Sequence, residues 1–536
     1  MQNPNNPFCI MQFLVISMIL ANILQSEQPM TNQFFIMGTN IPPQDIEKIV
    51  SAIPQIPAVK PIKPRKLLIF DLNVNYGGHP SAAYANIAFK MMGEKTAAFE
   101  TIISHDKNIF KKETLAQFDA IFFNNNVGNL FEDADLRKNI VEFVYRGKGL
   151  MGVHAATVAF TKWPGAIEDW PEFGIMLGAR GANHRQNTEH ITINVEDPEN
   201  PITTIFKGGS FQYKDEFFRF HQVYSRERVR VLLSINTNSI DASQDKLYSS
   251  TIRNDNDYAL SWVRSYGKGR IFYSTIGHNP YVFYDPIMLR FYLNAVQFVL
   301  GDLSAPTTPS AYLNEKNLLY EKLNWNLGII GNTNTQSIEN LCQFAYSNSI
   351  HFAGIHYNTP VFNNETIRFN PDMSDHDREK YRLMLDKHRL QIHSCRINKL
   401  PALAAEKEKF FEFIDSIGIE NLIVPANLLD NDTELLNYCR QFNINIVTEL
   451  QIQYPEKSNI KNFQSTQNQS NSFAIIIPNQ DYVRYLLSIS NIIQRSSVFI
   501  IRNNPSKTLE LLERTLMSQH KTKSPRTIFL IQYSNQ

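Results

Sequence analysis

Cysteine is scarce: the chain holds four thiols in 536 residues, Cys9, Cys342, Cys395 and Cys439, and no CxxC spacing among them. A disulfide framework and a thiolate zinc cluster are therefore not expected. Charge of one sign is missing too, with 52 Lys and Arg against 51 Asp and Glu, a formal net charge of +1. Without a long basic stripe the chain offers no phosphate-neutralising surface, so nucleic acid is not an expected partner. Long apolar runs are absent except at the start, where Phe8 to Leu24 (FCIMQFLVISMILANIL) is nearly unbroken. Its length suits the core of an export signal better than a spanning helix. Residues 1–30 are accordingly expected to direct export to a periplasmic or other extracytoplasmic location, or to associate with a membrane. Neither Lys nor Arg precedes the run, and no clean small-x-small cleavage site follows Ala21.

What is present divides the chain. A length of 536 residues exceeds what one core usually holds, so two domains behind the leader are expected. Residues 31–62 are polar and punctuated by proline (IPPQ, IPQIP, KPIKP) and read as a linker. From residue 63 the pattern changes. Lys66 to Leu72 is an apolar run that ends in Tyr76-Gly77-Gly78-His79 and leads into a helical stretch, Ser81 to Met92. Ala120 to Asn124, a helix over Leu136 to Arg146, and the buried run Gly149 to His154 continue the alternation. Gly267 to Arg270 reads as a tight hairpin, with Arg270 beside an acid, before the strand Ile271 to Thr275 and a helix over Pro286 to Leu300. Strands alternating with helices predict an α/β domain over 63–303, built on a doubly wound parallel sheet covered on both faces. Ligands in such sheets bind beyond the carboxyl ends of the strands.

A second linker, 304–319, follows Asp302 to Pro309 (DLSAPTTP). Within 320–536, eight apolar runs separated by helical patterns predict a (β/α)8 barrel of the TIM type. They begin at Asn326, Phe352, Leu390, Asn421, Ile444, Phe473, Val498 and Ile528.

The most informative residues are Gly152-Val153-His154-Ala155-Ala156-Thr157, where a buried strand turns sharply. Glutamine amidotransferases place a nucleophile elbow of the form G-x-C-x-G at such a strand end. Here His154 stands in the cysteine position, and no cysteine lies between Pro64 and Leu303, so thiol chemistry is closed to this domain. His79 and His154 each follow a strand, as does His278, so the three imidazoles are expected to converge over one rim. Asp215 or Glu216 could supply a carboxylate there. Such a group can move protons near neutral pH or hold a divalent metal. His184, His190 and His221 read instead as loop-bracing residues. Trp163 and Trp170 sit in a proline-punctuated loop past the elbow, where Trp163 could stack on a sugar or pack the loop down.

The G-V-H-A-A-T string, the upstream G-K-G-L-M, D-E-F-F at Asp215 to Phe218, and G-K-G-R-I-F-Y-S-T-I-G-H at Gly267 to His278 together resemble the ThuA-like (trehalose-utilisation) family. The resemblance spans roughly Lys63 to Leu303 and implies a class I glutamine-amidotransferase-like, flavodoxin-like fold without the amidotransferase thiol. At Asp197-Pro198-Glu199-Asn200-Pro201 the chain departs from that family, which usually carries a histidine where Asn200 stands. The later barrel is similar, more diffusely, to xylose-isomerase-like sugar-phosphate isomerases and epimerases. Active members of that family hold a divalent metal at the later strand ends. Glu449 fits one such position, but Pro478-Asn479, Arg502-Asn503 and Gln532 do not, so the barrel reads as degenerate.

The resemblance implies a small-molecule carbohydrate as partner: a sugar or oxidised (keto) sugar bound or transformed by His154, Glu216 and His278 as catalytic groups. His79, Asp215 and Trp163 are then substrate-binding residues; the cofactor is left open, a divalent metal at the histidines being one that these residues could hold. The reaction class would be hydrolase or lyase, not amidotransferase. The alternative is a non-catalytic carbohydrate-binding or scaffold protein.

Overall fold

A computed structural model describes residues 41–164, 167–240, 247–315, 317–318, 321, 325–331, 337–363, 365–425, 428, 433–451, 473–477, 496–501 and 527–532. The leader Phe8 to Leu24 lies outside these residues, as do Pro478, Asn479, Arg502 and Asn503. Among the described residues no helix is long and apolar enough to cross a membrane.

The first half is built on nine strands: β1 (Lys66–Phe70), β2 (Glu100–Ser104), β3 (Ala120–Asn124), β4 (Gly149–Val153), β5 (Glu189–Val195), β6 (Phe211–Asp215), β7 (Arg230–Ile235), β8 (Ala259–Tyr266) and β9 (Gly269–Ser274). They form one sheet in the order β6-β5-β7-β8-β9-β4-β3-β1-β2. Along each strand, alternate residues enter opposite cores: in β1, Leu67 and Ile69 face one cluster and Leu68 and Phe70 the other. Helices α2 (Pro80–Thr96) and α5 (Pro286–Leu300) cover the first face, and α3 (Ala134–Tyr145) and α4 (Pro171–Leu177) the second.

The sheet is not parallel throughout, which corrects the sequence expectation. β9, β4, β3, β1 and β2 run parallel, whereas β8, β7, β5 and β6 join antiparallel. Parallel neighbours need a crossover of a dozen or more residues, usually helical. Among the described residues between Glu189 and Ser274 only three-residue 3-10 turns occur, so these strands reverse instead.

The linker 31–62 is also corrected where it is described. Residues 43–52 form helix α1 (Pro43–Ala52), with Pro43 at its first turn. Ile46, Ile49, Val50 and Ile53 recur at helical spacing, and Ile49 and Ile53 are buried in the first-face core. The proline-rich surroundings obscured that amphipathic stripe. Arg270 does not bind an acid as expected: it donates to the carbonyls of Phe298 and Gly147, the former in the last turn of α5, where helical carbonyls lack partners.

In the second half, eight strands pair in parallel, each with its sequence neighbour and the last with the first, and close into a barrel: Trp325–Ile330, Phe352–His356, Gln391–Arg396, Asn421–Pro425, Asn445–Gln451, Phe473–Ile477, Ser496–Ile501 and Thr527–Gln532. Helix α6 (Asp375–Lys387), in this half, turns charged residues onto the first half. Arg382 meets Glu172 of α4 at 2.6 Å, and Asp386 meets Arg264 and Arg228, each at 2.8 Å. A cavity of about 1420 Å³ lies between the halves, with Arg228, Asp386 and His351 in its wall and none of the three converging histidines.

Candidate active site

Three parallel strands deliver the histidines to one edge of the sheet. His79 ends the loop after β1 and caps α2; His154 follows β4; His278 follows β9. One ring nitrogen from each lies within 4.8 Å of the others, and the ring centroids are 4.9 to 5.2 Å apart.

His154 occupies an elbow in the literal sense. Its φ is +50°, in the left-handed region that L side chains avoid at a cost of about 1–2 kcal/mol. Gly152, two residues earlier, lets the turn close, since a Cβ there would stand 2.9 Å from Leu177 Cδ1 and 3.1 Å from Ala156 Cβ. The ring is completely buried, lies against Phe218 and donates from Nδ1 to the Thr275 carbonyl at 2.8 Å. The Tyr273 hydroxyl secures the His154 carbonyl at 2.7 Å.

Glu216 is the hub. Its Oε2 is 3.2 Å from His154 Nε2, and its Oε1 is 3.3 Å from His184 Nδ1 and 3.6 Å from His278 Nε2. Burial pushes its carboxyl upward, but His154, His184 and His278 outweigh that and hold it below the usual range. Burial, then the neighbouring imidazoles of His154 and His278, pull His79 down to about 3. His278 is lowered for the same reasons, burial first and then His154. The cluster thus favours neutral rings at His79 and His278 beside a charged Glu216 carboxylate.

Asp215, read from the sequence as a substrate contact, is fully buried against a loop backbone. Its carboxylate accepts from the backbone N–H groups of Gly277, His278 and Asn279 at 2.7, 3.2 and 3.1 Å, and from Asn279 Nδ2 at 2.6 Å. It locks the loop that carries His278, and burial raises its carboxyl to about 6. The Ser81 hydroxyl, at the start of α2, donates to the Gly277 carbonyl at 2.7 Å and ties the same loop to the His79 turn.

Trp163 stands half-buried at the mouth, edge-on to Tyr76 at 5.8 Å between ring centroids. Tyr76 lies over His79, and its hydroxyl is 3.2 Å from His79 Nε2. Trp170, by contrast, is buried between Phe160 and Phe173. His190 and His221 stay exposed at the surface, the latter braced on the Ser250 carbonyl at 2.8 Å. Asn200 closes a turn by donating to Asp197 and accepting from the Ile202 N–H.

Two site residues escaped the sequence reading. His184 braces its loop through the Arg185 carbonyl, but it also reaches Glu216, because residues 183–184 pair with 218–219. Nothing local in the sequence signals that pairing. Tyr76 could have been noticed, three residues before His79 in a glycine loop.

Residues 66–299 match the ThuA family, described as trehalose utilisation. Among solved structures, a protein described as ThuA-like from Bacteroides uniformis is 22% identical over 46% of this chain and 93% of its own, with a TM-score of 0.36. An uncharacterised protein from Parabacteroides distasonis is 14% identical over 39% of this chain and 91% of its own, with a TM-score of 0.30. No curated protein matches the chain.

Proposed function

Residues 66–299 being a ThuA family domain, with a carbohydrate role in general terms, we propose that this protein is an enzyme that binds and transforms a sugar or oxidised (keto) sugar at the His154 rim. The observation that carries the reading is the buried His154 held 3.2 Å from the Glu216 carboxylate on a left-handed turn. An imidazole and a carboxylate fixed together can take a proton from carbon beside a ketone or hand one to a leaving oxygen. Either step suits a hydrolase or lyase. Tyr76 and Trp163 at the mouth offer flat apolar faces to the C–H side of a sugar ring.

The full chain would be incubated with a panel of glycosides and keto-sugars, with product formation followed by chromatography and binding by calorimetry. Turnover should fall by about 10²–10⁴-fold in Glu216→Gln. Wild-type turnover that survives both Glu216→Gln and His154→Ala sinks the catalytic reading. Binding without turnover favours the second reading, a non-catalytic carbohydrate-binding or scaffold protein. In either case the barrel is read as a worn relative of xylose-isomerase-like barrels that braces the first domain. A metal-dependent isomerase activity surviving Glu216→Gln would overturn that part. Export or membrane anchoring through residues 1–30 belongs to the same proposal, and cell fractionation of the full chain tests it.

A further inference from the structure

A buried polar atom without a partner costs about 1–3 kcal/mol, so several in one cluster need a cause. In the rim they are His79 Nδ1, His154 Nε2 and His278 Nδ1, none of which has a hydrogen-bond partner. The opposite edges of two rings are already committed. A carbonyl only accepts, so the Thr275 contact requires a proton on His154 Nδ1, and the neutral ring then carries its lone pair on Nε2. That lone pair faces Glu216 Oε2 at 3.2 Å, acceptor against acceptor. With His79 Nε2–H donating to the Tyr76 hydroxyl, His79 likewise keeps a buried, unpartnered lone pair on Nδ1. A proton on His154 would relieve one ring only. Protonating all three, with centroids about 5 Å apart, would set like charges against each other.

We infer that His79, His154 and His278 bind a borderline first-row divalent cation of the zinc class, with Glu216 beside it and Tyr76 as a positioning residue. The inference rests on the reading of the rim proposed above and names its cofactor; with His154 Nε2 given to the metal, proton movement in the loaded rim falls to Glu216. Three imidazoles suit zinc and its neighbours; magnesium and calcium demand mostly oxygen ligands. With metal–nitrogen bonds of about 2.0–2.1 Å, tetrahedral ligands stand about 3.4 Å apart. The present 4.8 Å limit therefore asks the rings to close by at most about 1.4 Å. Three protein nitrogens leave a fourth position open, the pattern of catalytic rather than structural zinc. The Thr275 carbonyl and Tyr76 hydroxyl hold the outer ring nitrogens, as second partners of metal-bound histidines commonly do.

Tag-free, full-length protein would be stripped with a chelator, then titrated with Zn²⁺ by calorimetry and with Co²⁺ by visible absorption. One ion per chain and a tetrahedral-type cobalt spectrum are expected. Tyr76→Phe should weaken binding about 10–100-fold with the unfolding temperature unchanged. The double change His79→Ala with His278→Ala should abolish the cobalt spectrum, and exposed His190→Ala should leave it intact. The inference is overturned if the stripped, folded wild type takes up neither ion, if the double variant takes up as much as wild type, or if Tyr76→Phe binds with undiminished affinity. Because no sugar enters the titration, the two proposals fail separately. A chain that holds zinc but leaves every sugar untouched sinks only the carbohydrate reading, and metal-free turnover sinks only this one.

Discussion

Arg382 joins the two halves at a point that excludes water. Its Nε donates to Glu172 Oε1 at 2.6 Å and its Nη2 to Oε2 at 3.0 Å, while the Tyr266 hydroxyl donates to the same Oε1 at 2.9 Å. The Arg382 and Glu172 side chains are only 9% and 3% exposed. Arg382→Met keeps an aliphatic stem against Tyr145 and removes the charge, which leaves the Glu172 carboxylate buried with one donor. Removing one partner of a buried ion pair costs about 3–5 kcal/mol, mostly the desolvation of the charge left behind. Adding Glu172→Leu removes that charge too and should restore most of the loss. The contact Lys138–Asp375 joins the same two halves with side chains 37% and 61% exposed, and Lys138→Met should cost less than about 1 kcal/mol. Urea unfolding followed separately in each half measures all three, since a chain with separate hydrophobic cores in its two halves need not melt in one step. If Arg382→Met costs no more than Lys138→Met, the argument from burial is wrong.

Acid should loosen the same interface through Asp386. Burial alone would raise its carboxyl, but Arg264 and Arg228 outweigh that and hold it below the ordinary range. Its stabilisation is therefore complete above an unfolded pKa of about 3.9 and is lost as pH falls from there through the folded value. Asp386→Asn should lower stability at pH 7 and flatten the loss below pH 4; an unchanged acid profile refutes this. Gly277→Ala would bring a Cβ within 2.5 Å of Val153 Cγ1 and 3.5 Å of His154 Cβ. It should cost about 1–3 kcal/mol in thermal melts. Gly209→Ala, whose Cβ would meet nothing nearer than 4.0 Å, is the control for that measurement. At the elbow, His154→Gly should melt higher than His154→Ala by about 1 kcal/mol or more, because both lose the Thr275 bond but only glycine relaxes a φ of +50°. An alanine variant as stable as the glycine one would show that the turn is not strained.

The sequence made the histidine rim legible because its parts lie just beyond apolar runs that become strands of the parallel part of the sheet. His79, His154 and His278 could be placed without knowing any long-range contact. Asp215 could not, since its role depends on meeting the backbone of residues 277–279, some sixty residues later in the chain. A carboxylate in D-E-F-F looks the same whether it faces a ligand or fastens a loop. His184 was hidden similarly by a two-residue antiparallel pairing with Phe218 and Arg219. The antiparallel half of the sheet was obscured for another reason. β6 alternates half-buried with exposed residues along an edge and shows no apolar run. Helix α1 shows the reverse error, in which prolines at 42, 43, 54 and 57 drew attention away from an isoleucine stripe.

Departures from local preference crowd onto this one rim. A left-handed histidine, three unpartnered ring nitrogens and a carboxylate raised to about 6 by burial meet at one edge of the sheet although the chain separates them widely. A sheet edge serving only stability would be better with a glycine at the turn and apolar side chains around it, so stability does not account for the arrangement. The fixings point the same way. Asp215 accepts four bonds from the His278 loop, Tyr273 holds the His154 carbonyl, and Ser81 ties the loop of one histidine to the turn of another. These contacts do not relieve the cluster; they prevent it from relaxing. Rings left free would rotate toward solvent or a carbonyl and satisfy their nitrogens. Holding them apart and unpartnered is useful only if something enters between them, which is why the metal titration bears on the whole account of the rim.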